Sequence, residues 1–158
     1  MSKPRYNWWP MVLNIIKDYP QRAKDLKELH QQKIVADNNG MPGGGGASRT
    51  AENIATLQLK PQEQREYEAV HKALLRTRAM KGSDDRLKIV RLTMWRGYTI
   101  PGAALIVNQS EETTRRYRWQ FIMLVGCMYG FITEAEYLAE VKRDFGNEKK
   151  RNAKAKNL

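Results

Sequence analysis

The sequence contains very few of the residues from which disulfides, metal sites and thiol chemistry are built. It has one cysteine, Cys127, and two histidines, His30 and His71. A single cysteine cannot form a disulfide within the chain, which fits a reducing cytoplasm. Two histidines without a cysteine or carboxylate cluster at ligand spacing do not make a metal site. We therefore expect no catalytic residue, no cofactor and no bound metal.

Long apolar runs are also missing. No segment approaches the roughly 18 to 20 uninterrupted apolar residues of a membrane span. Residues 1–9 lack the apolar stretch of a secretory signal. The paired acids Asp84–Asp85 and Glu111–Glu112 could suggest carboxylate chemistry. Both pairs fall in predicted first helical turns, however, where the helix dipole stabilises negative charge. The sequence therefore predicts a cytoplasmic protein that is neither an enzyme nor attached to a membrane.

Positive charge is present in excess. The 28 lysines and arginines outnumber the 17 aspartates and glutamates, and the net charge is +11. A field of this sign attracts nucleic acid, acidic protein surfaces or anionic lipid, and charge alone does not choose among them.

The C-terminal half has the pattern of a helix-turn-helix. Thr99 is placed to cap a short helix whose small residues, Ala103 and Ala104, permit a close crossing with a neighbour. Asn108 suits a tight turn, because asparagine tolerates a positive φ better than other non-glycine residues. Ser110 is placed to cap a longer helix that begins at Glu111, and Thr133 is placed to cap a last helix that ends at about Phe145.

This longer helix has two different faces. At about 100° per residue, one face collects apolar and small side chains: Thr114, Tyr117, Phe121, Leu124 and Val125. The opposite face is basic near the N-terminus, as a helix that reads the major groove requires. The candidate DNA-binding residues are Ser110, Glu112, Thr113, Arg115, Arg116, Arg118 and Trp119, with Lys88 and Arg91 expected at the DNA backbone. In the alternative interpretation, the arginines only form a solvated face of a helical hairpin.

Helical spacing recurs along the chain without strand-like alternation, so the predicted fold class is all-α. Asp18-Tyr19-Pro20 is expected to break the first helix, because the residue before proline disfavours the α conformation. The predicted units are an N-terminal helical hairpin (1–34), a Gly-rich linker (35–48), central helices (49–82), a helix-turn-helix DNA-binding domain (83–145) and a basic disordered tail (146–158).

The stretch from Arg86 to Phe131 resembles the C-terminal helix-turn-helix of RinA/ArpU-type phage transcriptional regulators. The matching motifs are Ala103-Ala104, residues 110–113 and residues 115–121. The arrangement is also similar to region 4 of sigma factors, and residues 48–55 and 68–70 resemble the middle of clostridial members. The resemblance implies a phage or prophage protein that binds double-stranded DNA in a bacterial host and activates a late packaging or lysis operon.

Two other functions remain open at this point. One is a phage terminase small subunit, a homo-oligomer that recognises packaging-site DNA. The other is a sigma-like factor whose N-terminal helices around Trp8 contact host RNA polymerase. Trp8 and Trp9 are adjacent and cannot share one helical face, so the sequence leaves open whether one of them is exposed or meets a partner chain.

Overall fold

The computed structural model describes residues 6–38 and 59–157. Within these ranges the chain is helical and contains no β-strand, which confirms the predicted all-α class. The helices are α1 (Trp9–Asn38), α2 (Pro61–Arg78), α3 (Ser83–Val90), α4 (Ile100–Val107), α5 (Glu111–Tyr129) and α6 (Glu134–Lys156). A five-residue π-helical segment, Arg91–Trp95, continues α3.

Helix α5 is the centre of the fold and packs against each of the other five helices. Its second half is apolar on every side, and residues 121–126 are all buried. Val12 and Ile16 of α1 and Val70 of α2 complete the main core around it. A helix that is apolar all round can only be stable when neighbours enclose it, which explains why α5 occupies the middle.

A second, smaller core lies beside the first half of α5. It joins Ile89 of α3, Leu92 of the π segment, and Ala103 and Val107 of α4, with Tyr117 of α5 packed against them. Ala103 is fully buried, so the small side chain does permit the close helix contact expected from the sequence. This small core fixes the position of α4 against α5.

The helix boundaries in this region follow local signals. The hydroxyls of Thr99, Ser110 and Thr133 each accept a hydrogen bond from a backbone N–H in the first turn of the helix that follows. Asn108 has a φ of 57°, in the left-handed region expected at this turn, and Gly97 has a φ of 71°. The caps predicted at Thr99, Ser110 and Thr133 and the turn predicted at Asn108 are therefore confirmed.

The predicted break at Pro20 is wrong, because α1 runs through this proline without interruption. A proline at position 20 has no N–H to donate to the carbonyl of Ile16, one turn earlier. The indole Nε1–H of Trp95 donates to that same carbonyl at 2.7 Å. The carbonyl that proline would leave unpaired is thus satisfied by another part of the chain, and residues 9–38 form one helix where a hairpin was predicted.

The linker prediction is only partly covered by the structure. Helix α1 extends through Asn38, so residues 35–38 are helical and do not belong to a loop. The remainder of the predicted linker and the short helix predicted after Thr50 lie outside the described residues.

The predicted disordered tail is also wrong for residues 146–156. Helix α6 continues through Lys156 instead of ending near Phe145. Low hydrophobicity does not prevent an existing helix from being extended, since lysine, arginine and alanine propagate a helix well. Lys154 and Lys156 also lie in the last turn, where positive charge is favourable.

Both N-terminal tryptophans pack against the main core. Trp8 precedes the first residue of α1. The two side chains are therefore not held 100° apart around a helix axis, and both rings can face the core. The Trp8 ring stacks on Phe131, with centroids 5.8 Å apart. Both rings are therefore partly buried against the core of their own chain.

Candidate nucleic-acid interface

Helices α4 and α5 are joined by the three residues Asn108, Gln109 and Ser110. The Gln109 N–H donates to the carbonyl of Ala104 at 3.0 Å and closes the end of α4. Its side-chain Nε2 donates to Oδ2 of Asp85 at 2.8 Å, at the start of α3. The polar residue in the turn therefore ties together three helices whose small core lies directly beneath it.

The N-terminus of α5 is held by its cap and by one buried residue. The Thr113 N–H donates to Oγ of Ser110 at 3.1 Å. Thr114 is fully buried and its hydroxyl donates to the Ser110 carbonyl at 2.9 Å. These contacts fix the start of α5 against the rest of the fold, and the other side chains of its first two turns are held in place with it.

Arg115 has the exposure that a groove-reading side chain requires. Its side chain is 64% exposed and its guanidinium lies 3.5 Å from the carboxylate of Glu111, one turn earlier. An exposed pair of this kind is held weakly, so the guanidinium can leave Glu111 for another acceptor at little cost.

Arg116 departs from the prediction that it faces outward. Its side chain is only 8% exposed, and its Nε donates to Oδ2 of Asp144 on α6 at 2.8 Å. The guanidinium also lies 5.7 Å from the centre of the Phe145 ring. The expectation of an exposed Arg116 fails because residues 144 and 145 of α6 lie over it, and helical periodicity does not reveal a contact between positions so far apart in the chain.

Glu112 is engaged by the same helix. Its carboxylate accepts from Arg151 of α6 at 3.2 Å and lies 3.9 Å from Arg116. A cleft of about 310 Å³ separates the two helices here. It is lined by Glu112, Arg115, Arg116, Trp119, Asp144 and Arg151. Four of the predicted site residues are therefore brought together, along with Asp144 and Arg151, which sequence reasoning missed because α6 was expected to end earlier.

Trp119 and Arg118 are less available than predicted. Trp119 is half-buried and its ring packs against the main core. Arg118 is also half-buried, and burial lowers the pKa of its guanidinium. Both side chains contribute to the packing of α5, so the exposed face of this helix is narrower than helical periodicity indicated.

The predicted backbone contacts are exposed but lie apart from the cleft. Lys88 on α3 and Arg91 on the π segment are both on the surface. Neither lines the cleft between α5 and α6. Nearby, Arg86 is turned inward over the Tyr117 ring at 4.1 Å, and burial lowers the pKa of this arginine.

The described part of the chain contains neither a candidate metal-binding cluster nor a candidate membrane-spanning helix. Within residues 6–38 and 59–157, no group of three or more histidine, cysteine, aspartate or glutamate side chains could hold a metal ion. None of the helices in these ranges is long and apolar enough to cross a membrane.

A comparison of the chain with protein-family models, with curated proteins and with solved structures finds no match.

Proposed function

We propose that this protein is a sequence-specific, DNA-binding transcriptional regulator. Helices α4 and α5 act as a helix-turn-helix of the type found in region 4 of sigma factors, and the N-terminal half of α5 enters the major groove. The resemblance to RinA/ArpU-type regulators extends the proposal to a phage or prophage protein that activates a late packaging or lysis operon.

The observation that carries the proposal is the position of Arg115. It lies in the second turn of α5, is 64% exposed, and projects from a helix end fixed by Ser110 and by the small core. A guanidinium held in this way can donate two hydrogen bonds to the edge of a guanine, the commonest specific contact in the major groove.

Charge supports the same interpretation. The net charge of +11 gives the chain an attractive field for the phosphate backbone. Lys88 and Arg91 are exposed on the elements that precede α4. Phosphate contacts made outside the recognition helix fix the orientation of a protein on the duplex, and these two cations suit that role.

Arg115→Ala should weaken binding to the preferred duplex by about 1–3 kcal/mol, or about 5- to 150-fold. The preferred sequence is first selected from a random duplex pool with the full chain. Affinities for this duplex and for a scrambled one are then measured by fluorescence anisotropy at fixed, physiological salt. The ratio between the two duplexes should fall, because a base contact is lost.

Arg78→Ala is the matched control, since Arg78 is an exposed arginine at the end of α2 and has no assigned DNA contact. It removes the same charge and should lower the affinity for both duplexes by the same small factor. Equal binding of selected and random DNA by the unaltered protein, at physiological salt, would refute the proposal.

One observation favours the terminase small subunit as a second candidate. Leu105 and Ile106 on α4 are 83% and 44% exposed, and a homo-oligomer could bury them. Light scattering separates the two functions: a ring of many subunits indicates the packaging protein, whereas a monomer or dimer indicates the regulator. The sigma-like alternative gains no such support, because Trp8 contacts Phe131 and Gly126 of its own chain.

A further inference from the structure

The C-terminal half of α6 lies along the part of α5 that the proposed function places in DNA. Asp144 binds Arg116 and Arg151 binds Glu112, so α6 touches the first and second turns of α5. The two helices are joined by the short turn around Gly130, and α6 returns along α5 in the opposite direction. It thereby reaches the helix end that carries Ser110.

The width of the major groove makes this arrangement incompatible with full insertion of α5. The groove is about 12 Å wide and admits one helix. Two packed helices have axes about 8–10 Å apart, and each is about 10 Å across, so the pair is about 18–20 Å wide, roughly one and a half times the width of the groove. With α6 in place, Arg116 cannot turn to a base edge, since it is bonded to Asp144 at 2.8 Å.

We infer that residues 144–156 of α6 are an autoinhibitory cover on the DNA-reading face, and that they leave α5 when it enters the groove. This inference rests on the proposed function and specifies how the same site is regulated. In the covered state Arg115 is available to a base edge, whereas Arg116 is bonded to Asp144 and Glu112 to Arg151. In the uncovered state Glu112 and Arg116 also become available.

The nature of the contact suits a cover that can leave. The apolar side chains that fix α6 to the core, Tyr137 and Val141, both precede residue 144. Beyond them the contact consists of two ion pairs and the Phe145 ring near Arg116. The Arg151–Glu112 pair is weak and is screened by salt, because its side chains are 75% and 59% exposed. In the other pair Asp144 is 37% exposed, so water reaches its carboxylate although Arg116 itself is only 8% exposed. DNA phosphates can therefore compete with Asp144 and Glu112 for the two arginines.

The test compares Asp144→Asn with Glu140→Gln in the full chain. Asp144→Asn removes the partner of Arg116, whereas Glu140→Gln removes the same charge one turn earlier, where Glu140 pairs with Arg143 of its own helix. We expect Asp144→Asn to bind the selected duplex about five- to tenfold more tightly than the unaltered protein, and Glu140→Gln less than about twofold more tightly. Both variants remove one negative charge and so change the long-range attraction between protein and DNA equally, but only Asp144→Asn releases the cover.

Amide hydrogen exchange gives a readout that does not depend on DNA. Without DNA, residues 144–156 should exchange faster in Asp144→Asn than in the unaltered protein or in Glu140→Gln. A detached helix of this length is marginal in water and frays. In the unaltered protein, adding the selected duplex should likewise speed exchange in residues 144–156 while slowing it in residues 111–119.

Three results would overturn the inference. Asp144→Asn could bind the duplex no better than Glu140→Gln. It could bind more weakly, which would mean that Asp144 orients Arg116 toward a base. Added DNA could slow exchange in residues 144–156, which would mean that the helix stays in place as a second DNA contact. If no variant binds a selected duplex, the proposed function fails instead, and exchange without DNA still decides whether Asp144 holds the cover.

Discussion

Replacement of Trp8 by alanine is expected to lower the free energy of unfolding by about 3 kcal/mol. Truncating a large aromatic side chain in a packed site usually costs a protein about 3–5 kcal/mol of stability. The lower end of this range applies because Trp8 is only half-buried. The Trp8 ring stacks between Tyr6 and Phe131, with centroid distances of 5.0 and 5.8 Å. For a chain of this size the midpoint of thermal unfolding should fall by about 6–12 °C. Urea unfolding followed by circular dichroism measures the change. Leu105→Ala, at an 83% exposed position, should stay within about 0.5 kcal/mol of the unaltered protein.

A second variant, Gly126→Ala, tests the same contact, because its effect on stability should change sign when Trp8 is removed. A Cβ atom at Gly126 would lie 2.8 Å from the Trp8 ring, well inside van der Waals contact. Gly126→Ala alone should therefore destabilise the protein by about 1–3 kcal/mol. In the Trp8→Ala background the space is free, and alanine should stabilise the helix interior by about 0.5–1 kcal/mol relative to glycine. If Gly126→Ala is destabilising by the same amount in both backgrounds, Trp8 does not occupy this position.

The elements that the sequence predicted correctly are those with short-range causes. A capping hydroxyl at Thr99, Ser110 or Thr133 acts on an N–H a few residues away, so spacing alone identifies it. The left-handed turn at Asn108 is also a property of one residue and its neighbours. The position of α5 in the core follows from the apolar stretch after Gln120, because only burial can accommodate it.

Two of the predictions that failed, those at Arg116 and Pro20, had causes far away in the chain. The outward orientation of Arg116 followed from helical periodicity, but its partner Asp144 is 28 positions away on a helix that was expected to end nearby. Periodicity locates a face of a helix and does not reveal which other helix covers it. The candidate site was therefore located on the correct helix, while the width of its exposed face was overestimated.

The helix break predicted at Pro20 also failed because of a distant partner, the Trp95 indole that bonds to the Ile16 carbonyl. This contact leads to the second prediction of a large effect. Trp95→Ala is expected to cost about 3–5 kcal/mol in the free energy of unfolding. The indole stacks on Tyr19 of α1 with centroids 5.8 Å apart, and its Nε1–H is the donor to the Ile16 carbonyl, 79 positions away. Urea unfolding followed by circular dichroism measures this change as well.

A double-mutant cycle separates the hydrogen bond from the ring. Trp95→Phe keeps an aromatic ring but removes the donor, and should cost about 1–3 kcal/mol because the Ile16 carbonyl is left without its partner. In a Pro20→Ala background the backbone N–H of residue 20 can donate to that carbonyl, so Trp95→Phe should then cost less than about 1 kcal/mol. Equal costs in the two backgrounds would show that Trp95 does not replace the missing amide. The continuity of α1 through Pro20 would then need another explanation. Proline removes the N–H that normally bonds to the carbonyl four residues earlier, so that carbonyl would need a donor other than Trp95.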